Sequence, residues 1–432
     1  MKIAVVYVTY DGAINSTCGV GVISQYFIKS MPIIAKQMHE QLNIDIDFHV
    51  AAVDLLKSAH GYSKRIKTTT LTIVQLLGGE LHFIDNGTFG NENYGTKTNW
   101  EKASMNAAKI IKTLANEYAQ VYVYLIDTPF LNVPAYMPTG TKNVIYLLVP
   151  HSDVFSHFPD EIPKERLIWE TEAFKAVRTS PYVYLASTSE FLTKTIKKHH
   201  AIESKKIIDL QTGLMISDSH FKMANKNEVE GVLKRKKLPL DKPLIFSVGR
   251  AVSYKGFEDL IDSFKLLCDD GFDAHLVFIA SPFRNSPSNI EILKNKINIL
   301  GLSGKCTPIY DLDMDLPKYI YQWPNTKIVA QLSSREPFGL VPEEVRMWAR
   351  EEGPLIVASN LDGFIEQIDD NLDGFLVDPS NHVEVKSVFE KILEMPTEEY
   401  SRIKTQGYRR CLKNYDYTKA VLESLKRIVR VL

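Results

Sequence analysis

Short apolar, β-branched runs alternate with longer helical stretches along this chain, and the alternation occurs twice. KIAVVYV (2–8), IDIDFHVAAV (44–53), VYVYLID (121–127), NVIYLLV (143–149), YVYLAS (182–187) and KIIDLQT (206–212) form one series. PLIFSVG (243–249), HLVFIAS (275–281), TKIVAQLSS (326–334) and PLIVAS (354–359) form a second. Their near-continuous hydrophobicity is what parallel strands covered on both faces require. Helical stretches such as NWEKASMNAAKIIKTLANEYAQ (99–120) separate them. A polar segment, MANKNEVEGVLKRKKLPLDK (223–242), lies between the two series and reads as a hinge. The pattern predicts an α/β protein of two doubly wound, Rossmann-like parallel-sheet domains. At 432 residues, each domain is long enough to bury its own core.

Composition removes several function classes. Lys+Arg is 51 and Asp+Glu is 52, a net charge of -1. A chain so nearly neutral lacks the basic field of a general nucleic-acid binder. Cys18, Cys268, Cys306 and Cys411 include no C-x-x-C pair, so neither a zinc ribbon nor a disulfide framework is indicated. The start, MKIAVVYVTYDG, breaks at Asp11 and reads as a buried first strand instead of a signal peptide. No run approaches the roughly 18 apolar residues of a membrane span, so the expected location is cytoplasmic.

In doubly wound folds ligands bind beyond the carboxyl ends of the strands, and two facing domains make the cleft between them the expected site. Three loops of the second series are informative. In GRAVSYKGFEDLIDSFKLL, Arg250 and Lys255 flank a short loop and Gly256 precedes an amphipathic helix. Two cations beside a helix N-terminus suit a diphosphate, although two solvated loop cations would read the same way. In SSREPFGLVPEEVRMWA (333–349), Glu336 sits in the loop and Gly339 lets a ligand approach the backbone. Pro342 suits the start of a helix, which puts Glu344 in its first turn. Carboxylates accept hydrogen bonds from pairs of sugar hydroxyls. Complementing the helix dipole would account for Glu343 and Glu344, but not for Glu336 followed by Phe338-Gly339. In NLDGFIEQIDDNLDGFLVDPS (360–380), Gly363 and Gly374 mark turns and Glu366 opens another helix.

In this order and at these spacings, GRAVSYKGFEDLIDSF, EPFGLVPEE and DGFIEQIDDNLDGFLVDP resemble the retaining glycosyltransferases of family 4, which have the GT-B fold. Their hallmark Glu-x7-Glu motif is met by Glu336 and Glu344. The first half matches more loosely, through the glycine loop Cys18-Gly19-Val20-Gly21, Pro150-His151, STSEFL (187–192) and QTGL (211–214). EPFGL is also similar to the sucrose-phosphate-synthase branch. The resemblance implies that Glu336 holds hydroxyls of the donor sugar and Glu344 the ribose of a UDP or GDP sugar. Phe338, Gly339, Leu340 and Val341 would face the transferred hexosyl unit, with Gly19 and Gly21 also on the donor. Arg250 and Lys255 match the diphosphate clamp, and His151 matches the active-site histidine, whose bland alternative is a core or capping residue. No cofactor and no metal are implied, and no Asp-x-Asp signal suited to a bound cation is seen. Retention is usually assigned to front-side attack, with the leaving phosphate taking the proton of the acceptor hydroxyl.

The chain departs from the family at four places. Cys18-Gly19 replaces a paired glycine, Val22 a basic residue, Asp362-Gly363 a Gly-Gly, and Ala280-Ser281 the end of a Gly-x-Gly. Residues 1–215, with an amphipathic helix at about 415–432 crossing back, are assigned to the acceptor domain, and 216–414 to the donor domain. The partners expected are a nucleotide-sugar and a soluble small-molecule or sugar acceptor, with no nucleic acid. A membrane surface is the weaker alternative. Its candidate patch, DLLKSAHGYSKRIKTTTLTIVQLL (54–77), carries Lys57, Lys64, Arg65 and Lys67, but TTTLTIV favours a strand or loop over an interfacial helix. Outside transfer, the remaining readings are a GT-B epimerase or phosphorylase and a non-catalytic nucleotide-sugar-binding protein. A nicotinamide dehydrogenase is rejected, because G-x-G-x-x-G does not directly follow the first strand.

Overall fold

A computed structural model describes residues 2–139, 141–158, 161–282, 286–311, 313 and 315–430. The chain divides into two compact units, Met1–Met215 with Asp416–Leu432, and Ile216–Tyr415. In the first unit the strands are β1 (Lys2–Thr9), β2 (Asp45–Val53), β3 (Leu81–Ile84), β4 (Val121–Ile126), β5 (Val144–Val149), β6 (Val183–Ser187) and β7 (Ile207–Asp209). They pair in the order β3-β2-β1-β4-β5-β6-β7, every pair parallel. In the second unit, β8 (Leu244–Arg250), β9 (His275–Ser281), β10 (Cys306–Ile309), β11 (Thr326–Gln331), β12 (Leu355–Ser359) and β13 (Phe375–Val377) pair in the order β10-β9-β8-β11-β12-β13. These pairs too are all parallel.

Both sheets are thus doubly wound. Each starts at a central strand, moves outward, returns, and moves outward on the other side. The central strands β4 and β5 bury every residue and β8 its first four, Leu244–Ser247, as helices on both faces demand. Three short strands, β3, β10 and β13, were not anticipated from the sequence. All three form sheet edges.

Two local expectations are corrected. TTTLTIV is not a strand or loop: Lys64–Leu76 is a helix. The Ser63 hydroxyl caps it by accepting from the Ile66 N–H at 3.3 Å, and Thr70 turns its hydroxyl inward to donate to the Ala13 carbonyl at 2.8 Å. Capping and tertiary burial of Thr70 and Val74 override the β-propensity of the threonine run. The polar segment 223–242 is not a plain hinge. It holds a helix, Lys226–Arg235, whose Asn225 side chain accepts from the Glu228 N–H, and it lies inside the second unit.

The helix Tyr417–Val429 belongs to the first unit although 200 residues of the second precede it in the chain. It buries Tyr417, Val421, Leu422, Leu425 and Ile428. Its polar ties are Ser30–Thr418 (2.8 Å), Tyr124–Ser424 (3.0 Å) and the Tyr417 N–H to the Leu214 carbonyl (2.9 Å).

In the second unit a buried ionic network fixes the helix Val341–Ala349. Arg346 donates to Glu343 (2.8 Å), the Gln367 carbonyl (3.0 Å) and Asp373 (3.0 Å). Arg410, on the helix Thr397–Asn414, joins Asp373 and Asp369 and donates to the Glu366 carbonyl. Glu343 is fully buried, and burial raises its carboxyl above the ordinary value. Arg346→Met leaves two buried acids facing an apolar side chain. It is expected to lower the stability of the second unit by about 3–5 kcal/mol in denaturant titration. A loss below about 1 kcal/mol would show that water, not the arginine, satisfies Glu343 and Asp373.

Candidate functional site

β8, β11 and β12 are neighbours in the second sheet, and because they are parallel, their carboxyl ends share one edge. β8 and β11 are also where the strand order reverses, the position at which such sheets bind ligands. Arg250 is the last residue of β8. A turn of 3₁₀ helix, Ser253–Lys255, then carries Lys255. β11 leads through Leu332–Leu340 into the helix Val341–Ala349, and β12 through Asn360–Gly363 into the helix Phe364–Gln367.

These loops join through specific bonds. Lys255 Nζ forms an ion pair with Glu336, both side chains largely shielded from water. The Glu336 N–H donates to the Asp362 carboxylate at 2.9 Å, and the Gly363 N–H donates back to the Glu336 carbonyl at 2.9 Å. The Gln367 amide donates to the Phe338 carbonyl, and also to the Gly363 carbonyl at 3.2 Å. Arg250 donates to the Tyr254 hydroxyl. Gly339 has φ +77°, and a Cβ there would lie 2.8 Å from Glu336 Cγ. Both the backbone angle and the space therefore require glycine.

Glu344 differs from its neighbour Glu343. Glu343 is locked to Arg346, whereas no residue among those described donates a hydrogen bond or lends a cation to the Glu344 carboxylate. Burial alone pushes its carboxyl up to about 7. A half-buried carboxylate without a partner is poised for a ligand hydroxyl.

The other three candidates, Gly19, Gly21 and His151, belong to the first unit. Cys18-Gly19-Val20-Gly21 is not a loop. Gly19 opens the helix Gly19–Leu42, and Gly21 sits in its first turn. The buried Asp11 carboxylate accepts from the N–H groups of Thr17 (3.0 Å) and Cys18 (3.1 Å) and from the Thr17 hydroxyl (2.7 Å). A Cβ on Gly21 would stand 2.7 Å from that carboxylate, so this glycine makes room for Asp11.

His151 follows β5. Its N–H donates to Asp127 at 3.4 Å, and its Nε2 is buried with no hydrogen-bond partner among the described residues. Burial lowers its pKa, opposed by the Asp127 charge, so the imidazole is neutral at pH 7. Asp127 was missed in the sequence because it looks like the end of the strand VYVYLID. It is a non-glycine residue at φ +63°, it accepts from the Tyr10 hydroxyl at 3.2 Å, and it stands at the end of β4 beside β1 and β5. Strain of this kind concentrates at functional positions. Arg335, also missed, packs over the ring of Tyr254.

Two Rossmann-like units carrying these loops define a GT-B fold, and the comparisons agree. Residues 231–410 match the model of the glycosyl transferases group 1, so the second unit carries a glycosyltransferase group 1 domain. The glycosyltransferase from Rickettsia africae superposes with a TM-score of 0.70 at 16% identity, covering 100% of this chain and 98% of that one. Sucrose-phosphate synthase from Thermosynechococcus elongatus gives 0.73 at 14% identity, covering 99% and 98%. Anabaena HepE, solved with UDP and glucose, gives 0.69 at 16% identity, covering 99% and 100%. No curated protein matches the chain at the sequence level. Among the described residues no helix is long and apolar enough to cross a membrane.

The raised Glu344 carboxyl has a pH signature. The folded state holds this proton more tightly than the unfolded chain, whose value is the ordinary 4.5. Its contribution is therefore present at low pH and is lost as pH rises towards about 7. Glu344→Gln removes the loss. Its urea midpoint, relative to the wild type, is expected to be higher at pH 8 than at pH 5. A difference that does not change with pH would mean that Glu344 ionises normally.

Proposed function

We propose that this chain is a metal-independent, retaining glycosyltransferase of family 4. It moves a hexosyl unit from a nucleoside diphosphate sugar to a hydroxyl of a soluble small molecule or sugar. The observation that carries the reading is the Lys255–Glu336 pair, with Arg250 and Glu344 on the same two strand-to-helix connections, in a glycosyltransferase group 1 domain. UDP and glucose on HepE support a uridine nucleotide and a hexose.

In this mechanism Glu344 accepts the ribose hydroxyls and Glu336 accepts hydroxyls of the sugar. The Lys255–Glu336 pair sets both groups before the donor arrives. As the anomeric C1–O bond to the diphosphate breaks, negative charge grows on the departing phosphate, and Arg250 and Lys255 stabilise it. The acceptor oxygen attacks the same face of the sugar, and its proton passes to the leaving phosphate oxygen. Two cations thereby do the work a divalent metal would do. His151, kept neutral by burial, offers its Nε2 to a substrate hydroxyl. The first unit is the acceptor domain in this reading.

Glu336→Ala is expected to remove most transfer while nucleotide still binds. Glu344→Ala is expected to weaken nucleotide binding by about 1–3 kcal/mol, the worth of a charged hydrogen bond. Calorimetry with UDP and GDP, set beside turnover, separates the two, and unchanged nucleotide affinity in Glu344→Ala would remove that role.

From an α-linked donor the first product should be an α-glycoside by proton NMR, formed at full rate in excess chelator. A β product excludes retention, and metal dependence excludes the cation clamp as sufficient.

A further inference from the structure

Tyr254 gathers cations from two loops. Arg250 donates to its hydroxyl. The guanidinium carbon of Arg335 lies over the ring, 4.6 Å from the centroid, while that of Arg250 lies 5.9 Å and Lys255 Nζ 5.8 Å from it. The backbones are tied as well, since the Ser334 N–H donates to the Tyr254 carbonyl at 2.8 Å. An aromatic face attracts a guanidinium but leaves its charge and its edge N–H donors available. Lys255 has Glu336 as its acid. Arg335 has none: among the described residues no carboxylate pairs with it, and its Nε is buried without an acceptor. It is the residue immediately before Glu336, so it enters on the loop that carries the sugar-binding carboxylate.

Partly buried cations are ordinarily paired. Arg335 is instead laid on a ring that also holds Arg250, beside the lysine of the diphosphate clamp. A multi-oxygen anion is the ligand that such a set of forked donors fits. A monophosphate can be held by Arg250 and Lys255 alone, whereas the second phosphate of a diphosphate shares that clamp and also gives Arg335 its partner.

We infer that Arg335 is a further donor-contacting residue that binds the second phosphate of a nucleoside diphosphate, and that Tyr254 is the positioning residue that holds it. The inference rests on the nucleotide-sugar reading above. It adds a residue outside the Glu-x7-Glu pair and the two-cation clamp, and it makes Arg335 the source of selectivity for diphosphates over monophosphates.

Calorimetry with UDP and UMP, repeated with GDP and GMP, tests this on the full chain. Arg335→Gln is expected to weaken binding of the preferred diphosphate about 10- to 100-fold, the range for a lost charge-assisted hydrogen bond. It should leave the matching monophosphate within about twofold, a factor well below the tenfold that 1.4 kcal/mol represents. Arg335→Lys, which keeps the charge but not the fork, should recover part of the loss. Tyr254→Leu, which removes the platform, should reproduce the selective loss, and Tyr254→Phe, which keeps the ring, should largely spare it. Unchanged diphosphate affinity in Arg335→Gln overturns the inference. So does an equal fall for diphosphate and monophosphate, which would indicate general damage to the loop. If the wild type binds neither UDP nor GDP, the nucleotide-sugar reading falls and this inference with it. Binding that is sensitive to Glu344→Ala but not to Arg335→Gln overturns this inference alone.

Discussion

The loop that carries Glu336 has no regular structure of its own, and its backbone is satisfied by the loop after β12. Glu336 gives its N–H to Asp362 and takes the N–H of Gly363, while Gln367 takes the carbonyl of Phe338. Each such buried group left unpaired would cost about 1–3 kcal/mol. The position of the Glu336 carboxylate therefore depends on a segment some 26 residues away in sequence. Asp362 accepts a left-handed backbone, φ +49°, to supply its carboxylate. Burial, together with the charge of Glu336, raises the pKa of that carboxylate. Asp362 is thus a clamp on Glu336.

Much of the fold was legible because two parallel sheets buried on both faces leave a strong mark. Every long apolar run became a strand within a few residues of its expected bounds, and β9 matches HLVFIAS end to end. The short strands β3, β10 and β13 escaped because three or four residues cannot show a period, and their pairing is set by neighbours already in place. The helix Lys64–Leu76 escaped for a different reason. Its threonines carry local β-propensity, and only the fold reveals that Ala13 is waiting for the Thr70 hydroxyl.

A candidate site could be drawn from the sequence where chemistry and spacing coincide. Arg250, Lys255, Glu336 and Glu344 could be named because each follows a readable strand. Residue type alone does not distinguish Glu343 from Glu344; only the Glu-x7-Glu spacing singles out Glu344. They are adjacent and identical, yet one is locked to Arg346 and the other stands alone. The physical cause is helix phase against Thr397–Asn414, which carries Arg410 into the same network. Asp127 and Arg335 were hidden for a similar reason. Their signals are a backbone angle and a stacking partner, both created only by folding.

The helix Tyr417–Val429 gives the chain a temporal order. The second unit is continuous, Ile216–Tyr415, and every residue it needs is present once those residues have been synthesised. The first unit is not: Ile34, Met38 and the hydroxyls of Ser30 and Tyr124 are made before the second unit, but the helix Tyr417–Val429 that packs with them is made only after it. During translation the first sheet must wait, with part of its apolar surface open, while the second unit emerges and can close. On the ribosome, the unit that is entered before the other is completed only after it.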